Sequence, residues 1–140
     1  MVGKKFNSVK QLLNDHEWLT DVLSTASYGN SWFQFGTHVD TPDEVYETAK
    51  SLYDCREEIW AYVLQHGGFL LVTDIEDCDC DDDEDYGKDY KISLKDFKNK
   101  FMKFVLNYPN QYAAIMDETM DLYDADALLQ VVVFGEVVYG

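Results

Sequence analysis

Apolar residues recur along this chain with two periods, and the places where one period gives way to the other divide it into helices and strands. Val9, Leu12, Leu13, Leu19, Val22 and Leu23 keep helical spacing, which predicts a first helix from Ser8 that Gly29 stops just past Ala26 and Ser27. In NSWFQFGTHVD the period shortens to two, with Phe33 and Phe35 on one side, so a short strand follows. TPDE at 41–44 then reads as a helix start: Thr41 caps, Pro42 takes the first helical position, and Glu44 is the acid of a capping box. Val45, Ala49, Leu52, Ile59, Trp60, Val63 and Leu64 carry this helix to Gly67 and Gly68.

GGFLLVTDIED turns to a β-rich apolar run, and YKISL at 90–94 is its antiparallel return strand. Everything between becomes the tip of a hairpin spanning about Phe69 to Leu94. Ser93 and Asp96 form a second capping signature, after which Leu94, Phe97, Phe101 and Phe104 line one helix face up to Tyr108 and Pro109. NQYAAIMDETM and DADALLQVVVFGEVV are two further helical segments, the second opening on acids that suit a helix N-terminus and then turning almost wholly apolar, as a buried tail does. The pattern predicts one α+β domain over residues 1–140, with helices packed on a small antiparallel sheet and an acidic hairpin tip at about 76–89.

Composition supports a folded body and then sharpens the question. With 140 residues and 46% apolar side chains the chain can bury a core without disulfide or metal staples. Cys55, Cys78 and Cys80 are an odd number, and the last two stand too close for an unstrained bridge. No apolar run is long enough to span a membrane, and MVGKKFNSVKQ lacks the apolar core of a signal peptide, so the expected setting is the cytoplasm.

The net charge is -16, a field that repels nucleic acid and anionic lipid while attracting basic protein surfaces and cations. It is unevenly spread. Residues 74–89 hold ten acids against only Lys88, whereas 91–103 hold five lysines against only Asp96.

The acidic run has three readings. As a solvated hairpin tip it serves solubility alone. As a polyanion it mimics nucleic acid: an extended chain advances roughly 3.3 Å per residue, close to the roughly 3.4 Å per phosphate of one DNA strand. Asp74, Glu76, Asp77, Asp79, Asp81, Asp82, Asp83, Glu84 and Asp85 are then the candidate contacts with a basic protein. As a cation site, Asp79, Asp81, Asp83 and Asp85 offer hard oxygen ligands at alternate positions. An EF-hand, however, needs Gly at the sixth position and Glu at the twelfth, and neither register fits: from Asp79 these are Glu84 and Tyr90, from Asp81 Tyr86 and Ile92.

Zinc would need Cys78 and Cys80 with Cys55 and one of His16, His38 or His66. The spacing is a poor match to paired C-x-x-C motifs, and neighbouring carboxylates oppose the thiolate a metal requires. Cys55, on a helix, reads as a small core residue. No nucleophile elbow, Walker loop or H-E-x-x-H is present, and Arg56 is the sole arginine, so catalysis is not expected. Trp32, Phe33, Phe35 and Trp60 read as core in preference to a binding face. The lysine helix reads as a solvated face, with self-association against the acidic tip of another copy as an alternative.

The end of the chain, YPNQYAAIMDETMDLYDADALLQVVVFGEVVYG, resembles the end of a family of small bacteriophage and prophage proteins. Tyr108, Pro109, Asp124, Asp126, Gln130, Phe134, Gly135, Glu136, Tyr139 and Gly140 carry the likeness, with Gly67, Gly68 and Asp74 upstream, so that it covers roughly residues 45–140. The resemblance implies a phage context and supplies no catalytic or binding residue. The expectation is therefore a non-enzymatic phage-encoded acidic protein in the bacterial host cytoplasm, with no cofactor. It would dock on a basic host or phage protein, as a counter-defence inhibitor or nucleic-acid mimic, without touching nucleic acid or membrane directly. A divalent-cation-binding module and a phage assembly or structural accessory protein are the alternatives.

Overall fold

The computed structural model of the chain describes residues 9–28, 32–75, 88–117 and 119–139, with backbone alone for Val9 and Lys10. Among them the elements run α1 (Val9–Leu13), α2 (His16–Tyr28), β1 (Phe33–Thr37), α3 (Asp43–Leu52), α4 (Arg56–Gln65), β2 (Leu70–Asp74), β3 (Lys88–Ile92), α5 (Leu94–Asn107), α6 (Pro109–Met116) and α7 (Leu122–Phe134). The result is the expected α+β arrangement, with seven helices packed on a three-stranded antiparallel sheet of order β1-β2-β3.

The register explains why the sheet has a wet side and a dry side. Phe33 pairs with Asp74, Phe35 with Val72 and Thr37 with Leu70; Val72 pairs in turn with Tyr90 and Leu70 with Ile92. Because successive side chains alternate across a strand, these residues share one face, which carries Phe33, Leu70, Val72 and Ile92 into the core. Gln34, Thr73, Asp89 and Lys91 occupy the opposite face, where Gln34, Asp89 and Lys91 are exposed.

On the dry face α4 packs over β1 and β2, α7 over β3, and α2 fits between α4 and α7. One continuous core results, running from Leu12 and Trp18 through Phe33, Trp60 and Val72 to Phe97, Phe101, Phe104 and Leu128. Burying each of these large side chains contributes about 1.5–3 kcal/mol. Trp32, Phe33 and Trp60 are core residues and Phe35 packs against them. Among the described residues no helix is long and apolar enough to cross a membrane.

Three local expectations need correction. The first helix is interrupted at Asn14 and Asp15, because the Asp15 carboxylate accepts from Trp18 N (2.9 Å) and starts α2 anew. The expected starting residue Ser8 and the stop at Gly29 lie outside the described residues. The helix foreseen from Thr41 to Leu64 is two helices, since Tyr53 and Cys55 are extended and the Tyr53 ring stacks on His16 at 4.7 Å. As a result α3 buries Ala49 alone and leaves Leu52 exposed.

Thr41 does not cap either. Its hydroxyl accepts from Phe69 N (2.9 Å) and donates to Phe69 O (3.2 Å), satisfying the backbone just before β2, and α3 begins at Asp43 without a side-chain cap. Gly68 allows this close approach: a Cβ there would fall 2.7 Å from Thr41 Cγ2 and 2.5 Å from Val63 Cγ1.

The Ser93 and Asp96 capping box forms as read, and Phe97, Phe101 and Phe104 are buried beneath α5. A second box, Asp121 with Asp124, starts α7. The apolar tail is buried only as far as helix α7 goes. Gly135, at φ 85°, ends it in the left-handed conformation that favours glycine, and the remaining residues turn back along the helix.

Candidate functional site

The acidic candidates Glu76, Asp77, Asp79, Asp81, Asp82, Asp83, Glu84 and Asp85 lie outside the described residues, as do Cys78 and Cys80. Their attachment to the fold is described. Asp74 and Lys88 are register partners at the last rung between β2 and β3, so thirteen residues, 75–87, are closed by one hairpin whose root is part of the sheet. Ile75 N donates to Trp32 O (2.8 Å) across to β1, and Thr73 Oγ1 donates to Asp89 Oδ1 (2.8 Å) on the wet face. Lys88 Nζ stands 5.4 Å from the centre of the Tyr90 ring.

Asp74 is the correction among the site residues. It was expected to extend the acidic contact surface, yet it is only 2% exposed and accepts from the hydroxyl of Tyr139 (2.8 Å). The physical reason is the strand period. Asp74 stands two and four residues from Val72 and Leu70, on the core face, so its carboxylate points inward and not toward a partner.

Tyr139 belongs to a part-buried polar network that ties the tail to β2, to α7, to Trp32 beside β1 and to Tyr108 after α5. Gln130 on α7, fully buried, accepts through Oε1 from the backbone amides of Val138 and Tyr139 (2.8 Å each). Its Nε2 donates to Tyr139 O (3.1 Å) and to Asp126 Oδ2 (2.7 Å). The other Asp126 oxygen accepts from Trp32 Nε1 (2.6 Å), beside β1. Tyr108, after α5, accepts the Val137 amide on its hydroxyl (3.0 Å). A buried carboxamide is costly unless its donors and acceptors are met, and here three bonds fall on backbone groups of the returning tail and the fourth on the Asp126 carboxylate one turn back on α7.

Sequence reading missed this set as a bonded unit. What could have pointed to it is a glutamine, Gln130, amid the apolar run of α7, a polar side chain that burial obliges to find partners; in the structure its bonds and those of Tyr108 and Asp74 hold residues 137–139 beside α7 and the sheet.

The rest of the described surface divides by charge. On α5, Lys95 and Lys98 are exposed beside Met102 and Leu106, while Lys100 and Lys103 reach within 3.7 and 3.3 Å of the place a Gly135 Cβ would take, near the negative end of α7. Lys91 bonds Asp40 (2.8 Å), which holds the Asp40 carboxyl below its usual range.

Between α2 and the start of α4 lies a cleft of about 370 Å³ lined by the acids Glu17, Asp21, Glu57 and Glu58 with His16 and Cys55. Cys55 is exposed and not in the core, because the break before α4 places it at the helix start, where its thiol donates to Glu57 Oε2 (2.8 Å). That bond lowers the Glu57 pKa. His16 Nε2 bonds Glu58 O (3.1 Å) and His66 stacks on Tyr62 at 3.9 Å. Among the described residues no group of three or more His, Cys, Asp or Glu could hold a metal ion.

The fold and the hairpin root define a small α+β protein carrying an acidic insertion between two paired strands. No family model matches the chain, and neither a curated protein nor a solved structure is similar to it.

Proposed function

We propose that this chain is a non-enzymatic acidic binding protein of phage type that docks on a basic host or phage protein in the bacterial cytoplasm. The observation that carries the reading is the concentration of charge: eight of the thirteen residues between the register partners Asp74 and Lys88 are acids, on a chain of net charge -16. A hairpin closed on a packed sheet brings both ends of such a segment to one place.

A basic surface built for phosphates is the partner whose chemistry fits. Its attraction to the run is electrostatic, fast and sensitive to salt. In the most concrete version the target is a nucleic-acid-binding defence factor, inhibited because the carboxylates occupy its groove.

The test is affinity capture from bacterial lysate with the wild type and with a variant carrying Asp81→Asn, Asp82→Asn, Asp83→Asn and Asp85→Asn, each at low and high salt. A nucleic-acid-binding protein recovered by the wild type alone, and lost as salt rises, supports the reading. The same protein recovered by both sinks the contact assignment.

A further inference from the structure

We propose that residues 136–139 form a strap that fixes the root of the acidic hairpin through the contact of Tyr139 with Asp74. The strap thereby sets how firmly the root that carries the acidic run is held when a cationic partner binds; this last step rests on the proposed function.

Three observations carry the proposal. First, the strap is held differently from the elements around it. The Val137 amide donates to the Tyr108 hydroxyl, and the amides of Val138 and Tyr139 share the single Oε1 of Gln130, so these bonds belong to no helix or sheet ladder. A segment bonded in this way can leave without opening a strand pair or a helical turn, which is the condition for a local unit of stability. Gly135 supplies the point at which it departs from α7.

Second, the strap ends on the root itself. Asp74 is the last residue of β2, and the next residue, Ile75, makes the bond from its amide to Trp32 O that continues the sheet toward the acidic run. Third, the same strap reaches the partner of that bond. Gln130 holds Asp126, Asp126 holds the Trp32 indole, and the Trp32 and Tyr139 rings lie 5.5 Å apart. Docking of one short segment therefore fixes both sides of the Ile75 bond.

Amide hydrogen exchange by NMR tests the strap directly. Tyr139→Phe removes one hydroxyl and keeps the ring, and it should raise exchange at Ile75, Val138 and Tyr139 about tenfold, the effect of one buried hydrogen bond, while amides of α2 and α4 stay as in the wild type. Asp74→Ala should reproduce this pattern. Asp74→Asn keeps an acceptor for the hydroxyl and should stay within about threefold of wild type.

Unchanged exchange at Ile75 would overturn the proposal, and so would an equal rise at every amide, which would make the tail one more part of global unfolding. An Asp74→Asn variant as open as Asp74→Ala would overturn the assignment to this bond. Calorimetric titration with a polylysine peptide tests the coupling: loosening Asp74 and Ile75 gives the root conformational freedom that binding must then remove, so Tyr139→Phe should bind about threefold more weakly. Equal affinity would refute the coupling. If the wild type ignores the peptide, the proposed function fails, and the exchange pattern still judges the strap by itself.

Discussion

Replacing Gln130 with leucine is the sharpest test of how this fold is closed. The side chain is fully buried and makes four bonds, two to amides and one to a carbonyl of the tail, and one to the Asp126 carboxylate. Leucine fills nearly the same space and meets none of these groups. A neutral buried hydrogen bond contributes about 1 kcal/mol net and one to a charge about 1.5–3 kcal/mol, and groups left unpaired cost more. The tail can limit the damage by detaching and rehydrating, at the expense of the packing of Val137 and Tyr139 against the core.

The expected loss is therefore about 3–5 kcal/mol, a large part of the roughly 5–15 kcal/mol that holds a domain of this kind. In melting temperature that is a fall on the order of 10–15 °C. Urea unfolding followed by tryptophan fluorescence reads the stability, and carboxypeptidase digestion reads whether the tail has come free. A loss below about 1 kcal/mol with the terminus still protected would refute the reasoning, because it would mean that Gln130 acts by volume and not by its bonds.

Other outcomes follow from single contacts. Gly68→Ala places a Cβ 2.5 Å from Val63 Cγ1 and should cost about 1–3 kcal/mol, seen as a lower melting temperature; an unchanged one would mean that the entry to β2 moves freely. Ser93→Ala removes the cap that accepts from Asp96 N and should cost about 1 kcal/mol in urea unfolding, with Ser93→Thr recovering much of it. Lys91→Met should return the Asp40 carboxyl to its usual range, followed by NMR titration. The sign is that of a depressed carboxylate: its stabilisation is present above the ordinary Asp value and is lost as pH falls through the lowered one. Burial pushes Asp124 up, and the charge of Asp121 adds to it, so Asp121→Asn should keep the cap while the Asp124 pKa moves down.

Elements governed by local chemistry were legible in the sequence. Phe97, Phe101 and Phe104 at helical spacing, with Ser93 and Asp96 in front, specify α5 within one stretch of chain, because capping and amphipathic spacing involve near neighbours. The strands around the acidic run followed for the same reason, from β-rich patterning on either side of a segment dense in acids. Charge likewise needs no structure, since it is a sum over the chain.

Contacts between distant residues were decided only by the tertiary structure. Thr41 has the look of a cap, yet Phe69, twenty-eight residues on, offers its hydroxyl a backbone donor and acceptor in a buried place. Tyr53 leaves the helical path where His16 stacks against it, although nothing near it in the chain breaks the helix. Asp74 reads as one acid among ten, and only the pairing register and the tail that meets it from sixty-five residues away turn it inward. Local pattern thus determined which segments become helix or strand and where the charge collects. The three-dimensional arrangement decided which polar groups find partners, because a buried hydrogen bond depends on what the whole fold brings within 3 Å.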